Sequence, residues 1–284
     1  MATVTNPEVD SRAYAFVYPI RGSEHFPADF HVAVDFNRVV SAIFLPQDQS
    51  GWFSKSRYPA RILVLLPDVL VVATHPSSGE PEIRVRTRDI VAIESSRILL
   101  DGRLTVHTVE SSHQWRYNTR DSRHLDEFLL NLRQLTMPEQ DAFPKVSGVV
   151  FGSSLDFKFA AAQSSELDPG ERVLVKFFSP PRQLIDKRWF VETHSWQPGD
   201  YVGLTSRRIL WITDRSDGHR SAFGTISTYA ALRHLSEISL THREGVCELA
   251  VSVEGHQDWR IPIPTELREQ ARSFVNGAHW REIT

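Results

Sequence analysis

Two short stretches of the 284-residue chain combine cations and aromatics in a way that could do chemistry. The first runs through Trp52, Lys55, Arg57 and Arg61, the second through Arg182, Lys187, Arg188 and Trp189. Several cations close together can grip one anionic group through charge-assisted hydrogen bonds. A neighbouring tryptophan, apolar in body and polar at one edge, can anchor a membrane interface or a partner. The gain is limited, because each such cation near an anionic surface contributes about 1 kcal/mol and three give about 3. Two stretches meeting one surface would add through avidity. The competing reading is solvated loop charge, with Trp52-Phe53 and Trp189-Phe190 folded back onto the protein. Both readings stay open at the level of sequence.

Other chemistry finds less support. The 12 histidines are scattered, and no His-Glu-x-x-His pattern or other ligand spacing occurs. His113 and His256 flank two similar tryptophan segments, without further ligands in register. Gly-x-Ser-x-Gly is absent, and Gly152-Ser153-Ser154 lacks the strand-elbow-helix setting of a serine nucleophile. No glycine-rich phosphate loop appears. Glu110 and Glu254 recur at matching places, but acids in separate domains do not form an acid/base pair. The expectation is therefore no catalytic residue, no metal, no cofactor and no enzymatic activity.

Composition narrows the classes. The chain is 41% hydrophobic and 24% charged with net charge −3, which argues against a nucleic-acid binder that relies on positive charge. A single cysteine, Cys247, allows no internal disulfide and no cysteine zinc site. The first residues lack the basic and apolar regions of a secretory signal. The longest apolar stretch, Ile62 to Ala73, is too short to span a bilayer and is interrupted by Pro67-Asp68. A cytoplasmic protein without a transmembrane segment is expected.

The elements that must position these residues come from an internal repeat. Arg38 to Pro46 reads like Arg172 to Pro180, and Trp52-Phe53 like Trp189-Phe190. The apolar run from Ile62 to His75 matches Tyr201 to Asp214, and Ile90 to Ile93 matches Leu235 to Ile238. Thr108-Val-Glu110 matches Ser252-Val-Glu254, and Gln114-Trp-Arg116 matches Asp258-Trp-Arg260. The order is the same in both halves. The offset grows from 134 (Arg38 to Arg172) to 145 (Ile90 to Leu235), as loop insertions require. Such a period is the size of a domain, not of a propeller blade or solenoid unit.

Each half reads as seven short strands followed by one amphipathic helix. In the first half the strands fall at Arg38 to Leu45, Ile62 to Leu66, Val69 to Thr74, Ile83 to Thr87, Ile90 to Glu94, Leu104 to Thr108 and Gln114 to Asn118. Ile83, Val85 and Thr87 alternate with arginines, as in a half-exposed strand. Pro67-Asp68 and Asp101-Gly102 read as turns. Asp121 or Ser122 can cap a helix whose apolar stripe is Leu125, Phe128, Leu129 and Leu132. Thr265 is the matching cap in the second half, ahead of Leu267, Ala271, Phe274 and Val275. A helix of this kind can close the open end of a small barrel and bury Phe128 and Phe274. A short helix is expected between Ser154 and Leu167, and Ala13 to Tyr18 is an extra strand or a docking segment.

This plan resembles a pleckstrin-homology-like barrel, and the second half carries the closer likeness. Leu167-Asp-Pro-Gly-Glu171 with Arg172-Val-Leu174 resembles the opening of the bacterial PH-like family. Leu204-Thr-Ser-Arg-Arg-Ile-Leu210 resembles the hairpin of that family and of the related GRAM domains. The first half has Leu65-Leu-Pro-Asp-Val69 at that place, so its membership rests on the repeat. The resemblance implies a mainly β fold with capping helices: two tandem PH-like barrels, each of seven antiparallel strands plus a C-terminal amphipathic helix. The boundaries expected are an N-terminal extension at 1–28, a divergent first domain at 29–137, a linker with a short helix at 138–166 and a second domain at 167–284. The resemblance also implies a binding scaffold, since such domains hold phosphoinositides in some members and proteins in many. The placing of the two basic stretches, after the first strand of each half, resembles the place where PH domains hold anionic head groups. The functional expectation is a non-enzymatic protein-interaction or scaffolding module with a protein partner or self-association. The alternative is a peripheral module at the inner membrane face that binds anionic lipid through Trp52, Lys55, Arg57, Arg61, Arg182, Lys187, Arg188 and Trp189.

Overall fold

The computed structural model describes residues 17–22, 25–27, 29–30, 32–46, 59–98, 101–119, 122–138, 149–152, 154–188, 191–214, 224–243 and 246–278. In chain order the elements are β1 Tyr18–Pro19, β2 Ser41–Leu45, β3 Arg61–Leu65, β4 Val69–Thr74, β5 Ile83–Arg86, β6 Ile90–Ile98, β7 Asp101–Thr108, β8 Ser112–Asn118 and α1 Ser122–Thr136. They continue as β9 Val149–Gly152, α2 Phe157–Glu166, β10 Val173–Ser179, β11 Arg182–Arg188, β12 Val191–Gln197 and β13 Asp200–Thr205. The last are β14 Arg208–Thr213, β15 Gly224–Ala231, β16 Leu235–Arg243, β17 Val246–Val253, β18 Trp259–Ile263 and α3 Arg268–Gly277. Among the described residues the fold is thus mainly antiparallel β with three helices. Its described residues form two compact units: one within 1–90, 99–104 and 114–136, the other within 91–98, 105–113 and 137–284.

In the first unit, β1 to β5 form an antiparallel sheet in sequence order. Its central strands are apolar at nearly every position because both faces are covered. Ala42, Phe44, Ile62, Val64, Val71 and Ala73 share a cluster with Ile20 and Phe30. Half-buried Tyr18, Phe26, Val32, Val34 and Phe36 pack against that cluster. The segment before β2 is therefore a cover for the sheet. Tyr18 of the expected extra strand pairs with Phe44, their rings 4.9 Å apart, while Ala13 to Phe16 fall outside the described residues. Helix α1 packs against β2, and its stripe of Leu125, Phe128, Leu129 and Leu132 is buried as its spacing requires.

Pro67-Asp68 joins β3 to β4 as expected, and Thr87 fastens that turn with its hydroxyl on the Pro67 carbonyl, 3.1 Å. Asp101-Gly102 differs from expectation, because both residues lie inside β7. Gly102 is required there by close approach. The Tyr117 ring from β8 occupies the place a Cβ would take.

In the second unit the large sheet runs β6, β15, β14, β13, β10, β9, antiparallel except for the parallel pair β9 and β10. A three-stranded sheet of β16 to β18 faces the same core. That core joins Val175 and Phe177 of β10, Val202 of β13 and Ile209 of β14 to Leu249 and Val251 of β17, Ile261 of β18, and Ala271 and Phe274 of α3. Phe274 is fully buried, as is its repeat counterpart Phe128 in the first unit. Trp115 on β8 and Trp259 on β18 are buried at matching places before the terminal helices. The predicted short helix is present as α2, capped by the Asp156 side chain on the Phe159 N–H at 2.9 Å. Thr265 does not cap: it sits in a 3-10 turn leading into α3, with no side-chain bond to the helix end. Among the described residues no sheet closes on itself, so the expected closed barrel appears instead as open sheets over a common core.

Candidate functional site

The residues expected to bind an anion divide into three groups. Trp52, Lys55, Arg57 and Trp189 lie outside the described residues. Arg61 and Arg182 are described and already engaged. Arg61 opens β3, only 8% exposed, with a guanidinium nitrogen 3.1 Å from Glu80, which also accepts from the Thr74 hydroxyl. Arg182 donates to Gln197 at 2.7 Å and to Glu266 at 3.0 Å, while Gln197 donates to the Pro262 carbonyl at 3.0 Å. Both arginines thus brace their own sheets. Lys187 and Arg188 stand on β11, where Lys187 pairs with Glu192 and Arg188 with Val191 in the β11–β12 ladder. The expected loop after the first strand of the second half is therefore a regular hairpin, with the two cations next to its tip.

The two segments that carry the PH-like resemblance meet in one buried network of the second unit. Asp168-Pro-Gly-Glu171 makes a turn at the end of α2, with Gly170 at φ +79° and the Glu171 N–H on the Asp168 carbonyl at 3.0 Å. Opposite it, Arg208 begins β14. Its guanidinium reaches the Glu171 carboxylate, Asp168 at 3.1 Å and the Glu166 carbonyl at 2.9 Å, and lies 5.0 Å over the Tyr229 ring. Thr205 donates its hydroxyl to Glu171 at 2.6 Å. Glu166 takes the hydroxyls of Ser227 at 3.0 Å and of Tyr229. Burial, and then the nearby Glu171 charge, push the Tyr201 phenol well above its ordinary value, so it stays neutral. The network joins α2 and the strand opening at β10 to the β13–β14 hairpin. Its charges are fully enclosed and meet one another, which makes it an internal brace out of a ligand's reach.

The described surface holds a more accessible basic feature that sequence reasoning took as half-exposed strand alone. A cleft of about 580 Å³ in the first unit is lined by Pro67, Asp68, Val69, Arg84, Arg86, Thr87 and Arg88. Arg84 and Arg86 alternate on β5, so both point away from the buried Val85. Arg88 follows in the 3-10 turn. Arg84 is held by Glu82 at 2.6 Å and by the Ala33 carbonyl at 3.3 Å. Arg88 lies 3.6 Å from Asp89, and Asp68 is paired with Arg38 at 2.9 Å. Arg86 is exposed, and no ion pair holds its guanidinium among the described residues. The arginine-x-arginine-x-arginine spacing was the available signal for this cleft.

His107 and His256 form a second cluster in the second unit, with ring centroids 4.3 Å apart. Burial, then the neighbouring His256, lowers the His107 imidazole to about 4. Its Nδ1 lies 2.8 Å from the Ser112 hydroxyl. Among the described residues no three His, Cys, Asp or Glu side chains are grouped to hold a metal ion. Nor is any helix of the described residues long and apolar enough to cross a membrane. No protein-family model matches the chain, and no curated protein matches it.

Proposed function

We propose that the chain is a non-enzymatic protein-interaction module built from two PH-like domains. One observation carries the reading. In the second unit, β6 adds to the edge of β15 over seven antiparallel residue pairs, from Gly224 with Ile98 to Ala230 with Ala92. The edge of a four-strand meander is thus used in this molecule as a docking line for another strand. β5 holds the corresponding place in the first half, last in its sheet, with no strand beyond it among the described residues. An edge of this kind can take a partner's strand through main-chain hydrogen bonds.

The PH-like assignment is supported by the strand–helix order in each half, by the matched tryptophans Trp115 and Trp259, and by the joining of the two resemblance segments through Arg208. A cytoplasmic place of action accords with the lone buried thiol of Cys247. Cross-linking and affinity capture with the full chain, together with light scattering, test the reading. A specific partner or a defined self-association is expected. A strictly monomeric particle with no captured partner would overturn it.

A second reading, a peripheral membrane module, is favoured by the β11–β12 hairpin. Its first strand ends on Lys187 and Arg188, and Trp189 and Phe190 follow them in the sequence. Cations beside aromatics suit an anionic bilayer surface. Sedimentation with phosphatidylserine vesicles at low salt decides it. The second reading requires retention that is lost in the Lys187→Glu, Arg188→Glu double variant, whereas the first requires no retention.

A further inference from the structure

We propose that the outer edge of β5 and the cleft beside it bind an extended acidic segment of a partner protein. The segment adds as a strand, and its carboxylates enter among Arg84, Arg86 and Arg88. The inference rests on the protein-interaction reading and gives it a place and a chemistry.

Three observations point to this occupant. The first is directional. β4 uses one edge of β5 through the pairs Val69 with Arg86, Leu70 with Val85, Val71 with Arg84 and Val72 with Ile83. Among the described residues no strand pairs with the opposite edge, which presents main-chain donors and acceptors that only another backbone matches in register. Sphere-like anions such as free phosphate cannot use that row.

The second is electrostatic. The cleft lining holds three arginines against the single carboxylate of Asp68, and Arg38 already neutralises that acid at 2.9 Å. Glu82 and Asp89 offset Arg84 and Arg88, so the net positive charge of the cleft rests on Arg86, which is exposed and held by no ion pair among the described residues. Arginine prefers planar, bidentate partners, which favours carboxylates.

The third is spacing. Arg84 and Arg86 are two residues apart on one strand face, about 7 Å at the usual rise per residue. Acids at alternate positions of an added strand have the same repeat and present their charges on one face. Arg88 and the Pro67-Asp68 turn extend the cleft past the end of the strand, so the segment's next acid meets a third cation. Val85 and Ile83 face the other way, toward the sheet's interior, which leaves the arginine face as the recognition face.

Exposed arginines on an edge strand also discourage indiscriminate pairing between copies. The same residues that repel a like-charged edge thus select an acidic one.

The probe is a fluorescent ten-residue peptide of alternating glutamate and valine, titrated against the full-length chain by anisotropy. Its controls are the lysine–valine counterpart, the same acidic peptide N-methylated at alternate amides, and inorganic phosphate as competitor. Binding of the acidic peptide alone is expected, weakened about tenfold or more by Arg86→Gln, Arg88→Gln. Hydrogen exchange at residues 83–86 should slow in the complex, a readout that charge attraction alone does not move. Equal binding by the N-methylated peptide, or displacement by millimolar phosphate, would show an anion site without strand addition and overturn the proposal. No binding of the acidic peptide, or binding indifferent to the two substitutions, would overturn it as well. Unaltered melting of the double variant secures the comparison. Capture of the same partners by wild type and by the double variant would remove the β5 edge and leave the interaction reading standing. Loss of all partners from both would remove the reading itself.

Discussion

Arg208 and Asp168 lie 3.1 Å apart with neither side chain meaningfully reached by solvent, and Glu171 shares the same guanidinium. This contact ties the turn after α2 to the start of β14. Removing one partner of such a group leaves a buried charge without compensation, which costs about 3–5 kcal/mol. Arg208→Met is therefore expected to lower stability by about that amount, read from urea unfolding. The companion Asp168→Asn, Glu171→Gln should recover part of the loss in the Arg208→Met background, because the three groups act as a unit. Full additivity of the substitutions would show that they do not.

The strand pairing of β6 with β15 makes a second claim open to measurement. Gly224 has φ +137°, a conformation that side chains with a Cβ rarely adopt, and a Cβ there would meet the Arg97 carbonyl and the Ile98 Cα. Gly224→Val is expected to cost about 1–3 kcal/mol. The loss should be local, seen as faster amide exchange along 92–98 with the β16–β18 sheet unaffected. Uniform acceleration throughout the second unit would mean that this pairing is inseparable from the whole core.

Much of this architecture was legible because burial imposes periodicity. Ile62 to Ala73 read as two strands about Pro67-Asp68, and the helix stripes of α1 and α3 put Phe128 and Phe274 inside. Asp101-Gly102 misled because its glycine answers to the Tyr117 ring across the sheet, a contact local composition does not carry. Thr265 misled for a related reason: a 3-10 turn absorbs the helix start, so no side-chain cap is needed. Open sheets and closed barrels share the same alternation, hence strand pattern alone did not separate them. The candidate site was harder. Arg61 and Arg182 look like free cations in sequence, yet each has acids or amides distant in sequence beside it: Glu80 for one, Gln197 and Glu266 for the other. Arg84, Arg86 and Arg88 look like ordinary strand decoration until the Pro67-Asp68 turn closes a cleft beside them.

The repeat itself predicts a matched response. Trp115 and Trp259 occupy equivalent strands and are both 2% exposed. Replacing either by alanine should cost about 3–5 kcal/mol, the usual range for a large buried aromatic. Each loss should appear in the unit that holds the residue, resolved by amide exchange. A small effect at one position and a large one at the other would break the equivalence of the two halves.

The His107 environment fixes the sign of an acid effect. Burial, assisted by His256, lowers its value from 6.5 to about 4 in the folded protein. The unfolded chain therefore binds a proton more readily between those limits, and stability contributed by neutral His107 is complete above about pH 6.5 and falls as the pH drops toward 4. Protonation would place a cation beside the His256 ring, 4.3 Å away, and leave the enclosed Nε2 with a proton to satisfy. His107→Gln keeps a hydrogen-bonding side chain near Ser112 while removing the titration. Urea midpoints of wild type and variant should diverge in their pH dependence, with wild type losing more stability than the variant between pH 7.5 and pH 5. Parallel pH profiles for the two proteins would place the acid sensitivity elsewhere and show that His107 is accommodated in both charge states.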